Sequence, residues 1–151
     1  MQHTISCLMA QLCKAHRNAA NTTLNQAGLY VGQEMVLLQL WQQDGLTQKE
    51  LGQQLCVEAP TVTRMLQRMQ RCGLIERRPD PDDGRVSRVY LTERSCGLES
   101  TVKEGWARLE ERLLAGITPE ERMLLHHFLS KMLDNLQICT GQIHDAHLSD
   151  W

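Results

Sequence analysis

Between residues 59 and 73 the chain reads APTVTRMLQRMQRCG, and its hydroxyl and guanidinium side chains recur at helical spacing. With Thr61 set at 0° and about 100° per residue, Val62, Met65, Leu66, Met69 and Cys72 fall between roughly 20° and 140°, whereas Thr61, Arg64, Arg68 and Arg71 fall between roughly 280° and 360°. One face is core, and the adjacent face presents a hydroxyl and three guanidiniums. Arg makes bidentate bonds to guanine O6 and N7, and small hydroxyl residues near a helix N-terminus approach bases or phosphates. The chemistry on offer is the reading of a DNA major groove. A solvated arginine face on an ordinary helix would look the same in isolation.

A second basic group decides between the two. Arg77, Arg78, Arg85 and Arg88 cluster on two strand-like runs, and Arg85 directly follows Asp83-Gly84, where the chain turns back. An Arg at the tip of a protruding hairpin suits the narrow minor groove, whose negative potential attracts guanidinium groups. Asp83 is expected to hold the Arg85 side chain by a salt bridge, while Asp80 and Asp82 read as plain turn formers.

These groups need a scaffold, and the hydrophobic pattern supplies one. Ile5, Leu8, Met9, Leu12, Cys13 and His16, continued by Ala19, Ala20 and Leu24, predict a long amphipathic helix over residues 4–26 that ends near Gly28. Residues 32–43 predict a central buried helix stopped by Asp44-Gly45. Thr47-Gln48-Lys49-Glu50 is a capping box that starts a short helix running to Leu55. Pro60 fits the first turn of the arginine-bearing helix, which Gly73 closes. Residues 74–78 and 86–91 flank a Pro/Asp/Gly cluster and predict a β-hairpin. Thr92-Glu93-Arg94 opens a further helix with Leu98, Val102, Trp106, Leu109 and Leu113 on one face. Thr118-Pro119-Glu120-Glu121 caps the last one, striped by Leu125, Phe128, Leu129, Met132, Leu133 and Leu136. The tail from Cys139 has no usable period and reads as mobile. The expected class is mainly α (α+β): a winged helix-turn-helix with a two-stranded β-hairpin wing and long helices forming a dimerisation domain.

Composition bounds the reading. The 151 residues are 42% hydrophobic but only 4% aromatic, and 23 Leu outnumber the 12 Val and Ile, which favours helices over a large sheet. The net charge of −2 argues at first against a nucleic-acid binder. Residues 61–94, however, hold eight Arg against five acids, so the rest of the chain is acidic and the molecule is polarised. No apolar run reaches the roughly 18 residues of a membrane span. The N-terminus carries no basic leader, so a cytoplasmic protein with no membrane partner is expected. Six Cys without a CxxC pair imply reduced thiols, of which Cys56 and Cys72 look like core residues.

Residues 46–95 resemble the winged-helix domain of the MarR family of bacterial transcription regulators. The resemblance is carried by PTVTRML, GLIERRPDP, the Asp-x-Arg of Asp83-Gly84-Arg85 and the closing Leu91-Thr92-Glu93, in order and spacing. With the flanking helices it covers about residues 4–137. The family wing often reads Asp-Arg-Arg where this chain has Asp83-Gly84-Arg85, and the usual glycine after Leu-Thr-Glu comes only at Gly97.

The resemblance implies a homodimer: an N-terminal dimerisation helix in 1–30, a DNA-binding lobe in 31–95, C-terminal dimerisation helices in 96–137 and a tail in 138–151. It implies a repressor whose two recognition helices enter successive major grooves of a pseudo-palindromic double-stranded operator. Carried over by position, Pro60, Thr61, Thr63 and Arg64 contact bases and phosphates, Gln67 and Arg68 lie at the groove edge, and Arg78 belongs to the DNA-facing set. Arg85 enters the minor groove with Asp83 orienting it, and Thr47 and Gln48 offer a helix N-terminus to a phosphate. It also implies release by a small aromatic or phenolic effector in a crevice near His16, Met35, Leu38 and Trp41, although Met and Leu at helical spacing read first as core and His16 as an interface histidine.

A thiol-sensing alternative rests on Cys13, which sits in Gln11-Leu12-Cys13 beside Lys14 and His16. The His and Cys spacings, including His3/Cys7 and Cys139/His144/His147, give no tight four-ligand metal set, and no metal or cofactor is expected. An enzyme is not expected: there is no Gly-rich phosphate loop, no HExxH and no nucleophile with a recognisable base. A winged helix acting only in protein–protein contact would show an apolar second-helix face, and this one is basic.

Overall fold

The computed structural model describes residues 4–136. Thr4 caps α1 (Ile5–Gln26), its side chain accepting from the Cys7 amide at 3.3 Å. Only Ala20 and Leu24 of this helix are buried, near its C-terminal end, whereas Ile5, Leu8 and Leu12 are exposed. α2 (Gln33–Gln42) is the buried centre, with Val36, Leu37, Leu38 and Leu40 all inside. β1 (Leu46–Thr47) leads into α3 (Gln48–Leu55), and α4 (Ala59–Arg71) follows after a three-residue connection. Gly52 lets the two helices cross closely: a Cβ there would lie 3.3 Å from the Val57 carbonyl oxygen and 3.4 Å from a Val62 methyl. Gly73, at φ +68°, supplies the left-handed turn that ends α4.

β2 (Ile75–Pro79) and β3 (Ser87–Leu91) form the wing in antiparallel register, with Ile75 opposite Leu91 and Arg78 opposite Arg88. The expected two-stranded hairpin is present as β2 and β3, and β1 adds an unexpected third strand in the order β1-β3-β2, because Leu46 and Thr47 pair with Val89 and Arg88. A two-residue strand has no alternation to betray it; its partner defines it.

The helix expected to run on from Thr92 is split into α5 (Glu93–Cys96) and α6 (Glu99–Leu113). The Ser95 carbonyl accepts the Trp41 indole N–H at 3.1 Å and the Leu98 amide at 3.2 Å, which tightens the chain where a regular helical bond would otherwise form. α6 packs on α1 so closely that a Cβ on Gly105 would sit 2.5 Å from a Thr23 methyl. α7 (Pro119–Asn135), opened by a capping box of Thr118 and Glu121, buries no residue at all within the chain.

One core joins α2, α3, α4 and the sheet, with Leu37, Leu51, Leu66, Met69 and Val89 at 0% exposure. At roughly 2 kcal/mol for each fully buried Leu, Met or Val side chain, this cluster is the main support of the lobe. Cys56 and Cys72, expected in that core, are both exposed. Each follows the last residue of its helix as a C-cap, and for Cys72 the helical spacing that placed it on the apolar face has already lapsed. The tail expected to be mobile, with Cys139, His144 and His147, lies outside the described residues, as does His3.

Candidate nucleic-acid interface

α4 presents the predicted faces. Val62, Leu66 and Met69 are buried and Met65 partly so, while Pro60, Thr61, Arg64, Gln67, Arg68 and Arg71 are exposed. The helix opens with Glu58 as N-cap and Pro60 in its first turn. Its C-terminus is held from the start of the next helix: the Thr92 hydroxyl donates to the Gly73 carbonyl at 2.8 Å, and the Arg94 guanidinium donates to the Cys72 carbonyl. Arg71 joins Gln67, Gln70 and Arg77 around an open cleft of about 350 Å³ between α4 and β2.

The eight arginines of residues 61–94 divide into two groups. Arg77 donates to the Gln70 side chain at 2.8 Å. Arg78 pairs with Glu76 at 2.9 Å and lies over the Tyr90 ring, 4.8 Å from its centroid. Arg88 is bound to Asp80 and to the Gly45 carbonyl, and Arg94 to Cys72. The side chains of Arg64, Arg68, Arg71 and Arg85 make no hydrogen bond or ion pair among the described residues and are exposed. Three of these four lie on one face of α4 and the fourth at the wing tip. They are the charges left over for an external anion.

Three expectations need correction. Asp83 does not pair with the Arg85 guanidinium; its carboxylate accepts the Arg85 backbone amide at 3.0 Å, which shapes the turn and leaves the side chain free. Asp80 is more than a turn former. One of its oxygens accepts the amides of Asp82 at 2.8 Å and Asp83 at 3.0 Å, and the other pairs with Arg88. These bonds, the Arg88 contact first, hold its carboxyl below the usual Asp range. The third concerns the N-terminus of α3. The Thr47 hydroxyl accepts the Glu50 amide at 3.2 Å and the Glu50 carboxylate accepts the Thr47 amide at 2.7 Å, so a carboxylate already occupies the end expected to meet a phosphate. Those bonds from Thr47 lower the Glu50 pKa.

Gln48 and Thr63, expected to touch DNA separately, are bonded to each other across the helix pair, and Thr63 also donates to the Ala59 carbonyl at 3.0 Å. The Asp80–Arg88 pair is the residue set that sequence reasoning missed. Its signal was available in the register: pairing Pro79 with Ser87 brings residues 80 and 88 to one end of the hairpin.

The residues expected near an effector lie on α1 (His16) and α2 (Met35, Leu38 and Trp41). His16 on α1 lies against Trp106 on α6 with ring centroids 5.7 Å apart. Leu38 is buried, while Met35 and Trp41 are partly buried against the core. Cys13 is exposed on α1. Among the described residues no group of three or more His, Cys, Asp or Glu is placed to hold a metal, and no helix is long and apolar enough to cross a membrane.

A basic helix crossed closely by a short capped partner helix, followed by an arginine-tipped wing, defines a winged helix-turn-helix protein. A family model described as MarR family matches residues 29–87. The HTH-type transcriptional regulator TtmR of Methylorubrum extorquens is 32% identical over 141 residues, which span 89% of this chain and 71% of that protein. The fold matches MepR of S. aureus in its complex with DNA, at TM-score 0.80 and 29% identity over 90% of this chain and 99% of that one. It also matches PcaV of Streptomyces coelicolor in complex with its natural ligand, at TM-score 0.79 and 25% identity over 89% and 94% of the two chains. The chain belongs to the MarR family and is a DNA-binding transcription regulator.

Proposed function

We propose that the protein is a homodimeric repressor that binds a pseudo-palindromic operator through two copies of α4 and leaves it when a small aromatic ligand enters near α1, α2 and α6. The observation that carries the DNA reading is the division of the arginines: Arg64, Arg68, Arg71 and Arg85 have no partner among the described residues, and they are exposed on the recognition helix and at the wing tip. In this reading Pro60, Thr61 and Arg64 enter the major groove, with Gln67 and Arg68 at its edge. Gln48 and Thr63 act as one bonded unit beside it, and Arg85 enters the flanking minor groove. Arg78, paired with Glu76, contributes less than the four free arginines.

The homodimer is supported by α7, whose Met123, Leu124 and Phe128, with Leu136 at its C-cap, are each more than half exposed in the single chain. The effector is supported by the His16–Trp106 pair and by the ligand-bound state of PcaV. A coupling of about 1–3 kcal/mol between ligand and operator would change affinity about five- to 150-fold.

The test is fluorescence anisotropy at fixed salt on a duplex that the wild-type protein selects from a random-sequence pool. Arg64→Ala and Arg85→Ala are each expected to weaken binding by about 1–3 kcal/mol, Arg64→Ala with altered base preference. Unchanged affinity in both variants would overturn the assigned contacts.

A further inference from the structure

The wing tip is tied to the body of the lobe by a continuous series of polar bonds. The Gly45 amide donates to the Val89 carbonyl at 3.0 Å, fixing the turn between α2 and β1 against β3. The Gly45 carbonyl accepts Nη1 of Arg88 at 2.8 Å, and Nε of the same guanidinium pairs with Oδ2 of Asp80. Oδ1 of Asp80 gathers the amides of residues 82 and 83. Asp83 continues the series through its carboxylate to the Arg85 amide and through its carbonyl to the Val86 amide at 2.9 Å. Besides this series, the Asp80 amide donates to the Val86 carbonyl at 2.8 Å and closes the loop, whose residues 81–85 are all exposed. The Asp80 side chain, by contrast, is 9% exposed.

We propose that Asp80 and Arg88 are positioning residues that set the angle at which the wing delivers Arg85 to DNA. The proposal rests on the reading of Arg85 as a minor-groove contact and adds what makes that contact possible. Neither residue touches DNA itself: Arg88 is consumed by Asp80 and Gly45, and Asp80 is an acid in a hairpin that approaches phosphates. The sign of the effect separates positioning from simple charge. By Coulomb repulsion alone, removing a carboxylate from a DNA-facing hairpin should tighten binding. If Asp80 positions Arg85, its removal must weaken binding instead. Asp82, two residues on, exposes its carboxylate and uses only its backbone amide in the turn, so it provides the control.

The experiment measures affinity for the selected duplex by anisotropy in the full-length chain carrying Asp80→Asn, Arg88→Gln, Asp82→Asn, Arg85→Ala, and the Asp80→Asn/Arg85→Ala pair. Asp80→Asn keeps an acceptor for the two amides and removes the ion pair. Asp80→Asn and Arg88→Gln are each expected to weaken binding about three- to tenfold, while Asp82→Asn binds as wild type or tighter. In the Arg85→Ala background Asp80→Asn is expected to cost less than about twofold further, because with Arg85 gone there is nothing left to position and coupled sites are not additive. If Asp80→Asn does not fold, shown by circular dichroism, Arg88→Gln with and without Arg85→Ala carries the same comparison. Wild-type affinity in Asp80→Asn, or losses that multiply with Arg85→Ala, would overturn the proposal. If Arg85→Ala alone binds as wild type, the minor-groove reading fails and the proposal falls with it.

Discussion

The DNA-binding lobe and the terminal helices are built from the same material, amphipathic helices with leucine in their apolar stripes, yet those stripes end in opposite states. In the lobe, Leu51, Leu66 and Met69 are at 0% exposure, covered by their own chain. On α7, Phe128 is 55% exposed and Met123 73%, and the helix buries nothing. A hydrophobic stripe therefore says that a face must be covered and is silent about what covers it. In the lobe the cover is local and complete; on α1 and α7 the dimeric reading assigns it to a second copy.

The comparison can be broken most sharply at α7. Leu125→Lys combined with Phe128→Lys is expected to turn the dimer into a monomer in sedimentation velocity while the lobe keeps its helical circular dichroism. Losing the second recognition helix should then cost about 10²- to 10⁴-fold in operator affinity, the avidity typical of linked sites. Retention of a dimer by this variant would place the interface elsewhere.

A smaller effect sharpens the seam between the two regions. Glu34 opens α2 just after the turn from α1 and is 2% exposed, its carboxylate accepting the Gly32 amide at 2.7 Å. Burial, more than these hydrogen bonds can offset, raises its pKa. A carboxyl raised in the folded state contributes stability that is present below the unfolded pKa and lost as pH rises through the folded one. Glu34→Gln is therefore expected to melt higher than wild type near about pH 7, with the difference shrinking toward about pH 4. Equal melting temperatures across that range would show that the buried carboxylate costs nothing.

Much of the scaffold was legible because it is written locally. The capping boxes at Thr47/Glu50 and Thr118/Glu121, Pro60 in the first turn of α4 and Gly73 after it all signal boundaries within a few residues. What was not legible depends on partners distant in sequence. β1 exists because Val89 pairs with Leu46, and α5 separates from α6 because Trp41 reaches the Ser95 carbonyl 54 residues away. The same holds at the interface. The sequence counts eight arginines, but only the folded arrangement sorts them into four that hold the lobe together and four that are free. Cys72 was misplaced because periodicity was carried one residue past the end of α4, where the chain is already a C-cap.

The central claim, that two copies of α4 read one operator as a symmetric pair, is tested most directly by hydroxyl-radical and methylation-protection footprinting of the purified protein on its selected duplex. Two protected major-groove segments are expected about 10–10.5 base pairs apart, centre to centre. Flanking minor-groove protection is expected as well and disappears with Arg85→Ala. A single protected segment, or protection that does not distinguish the selected duplex from random DNA, would contradict the claim.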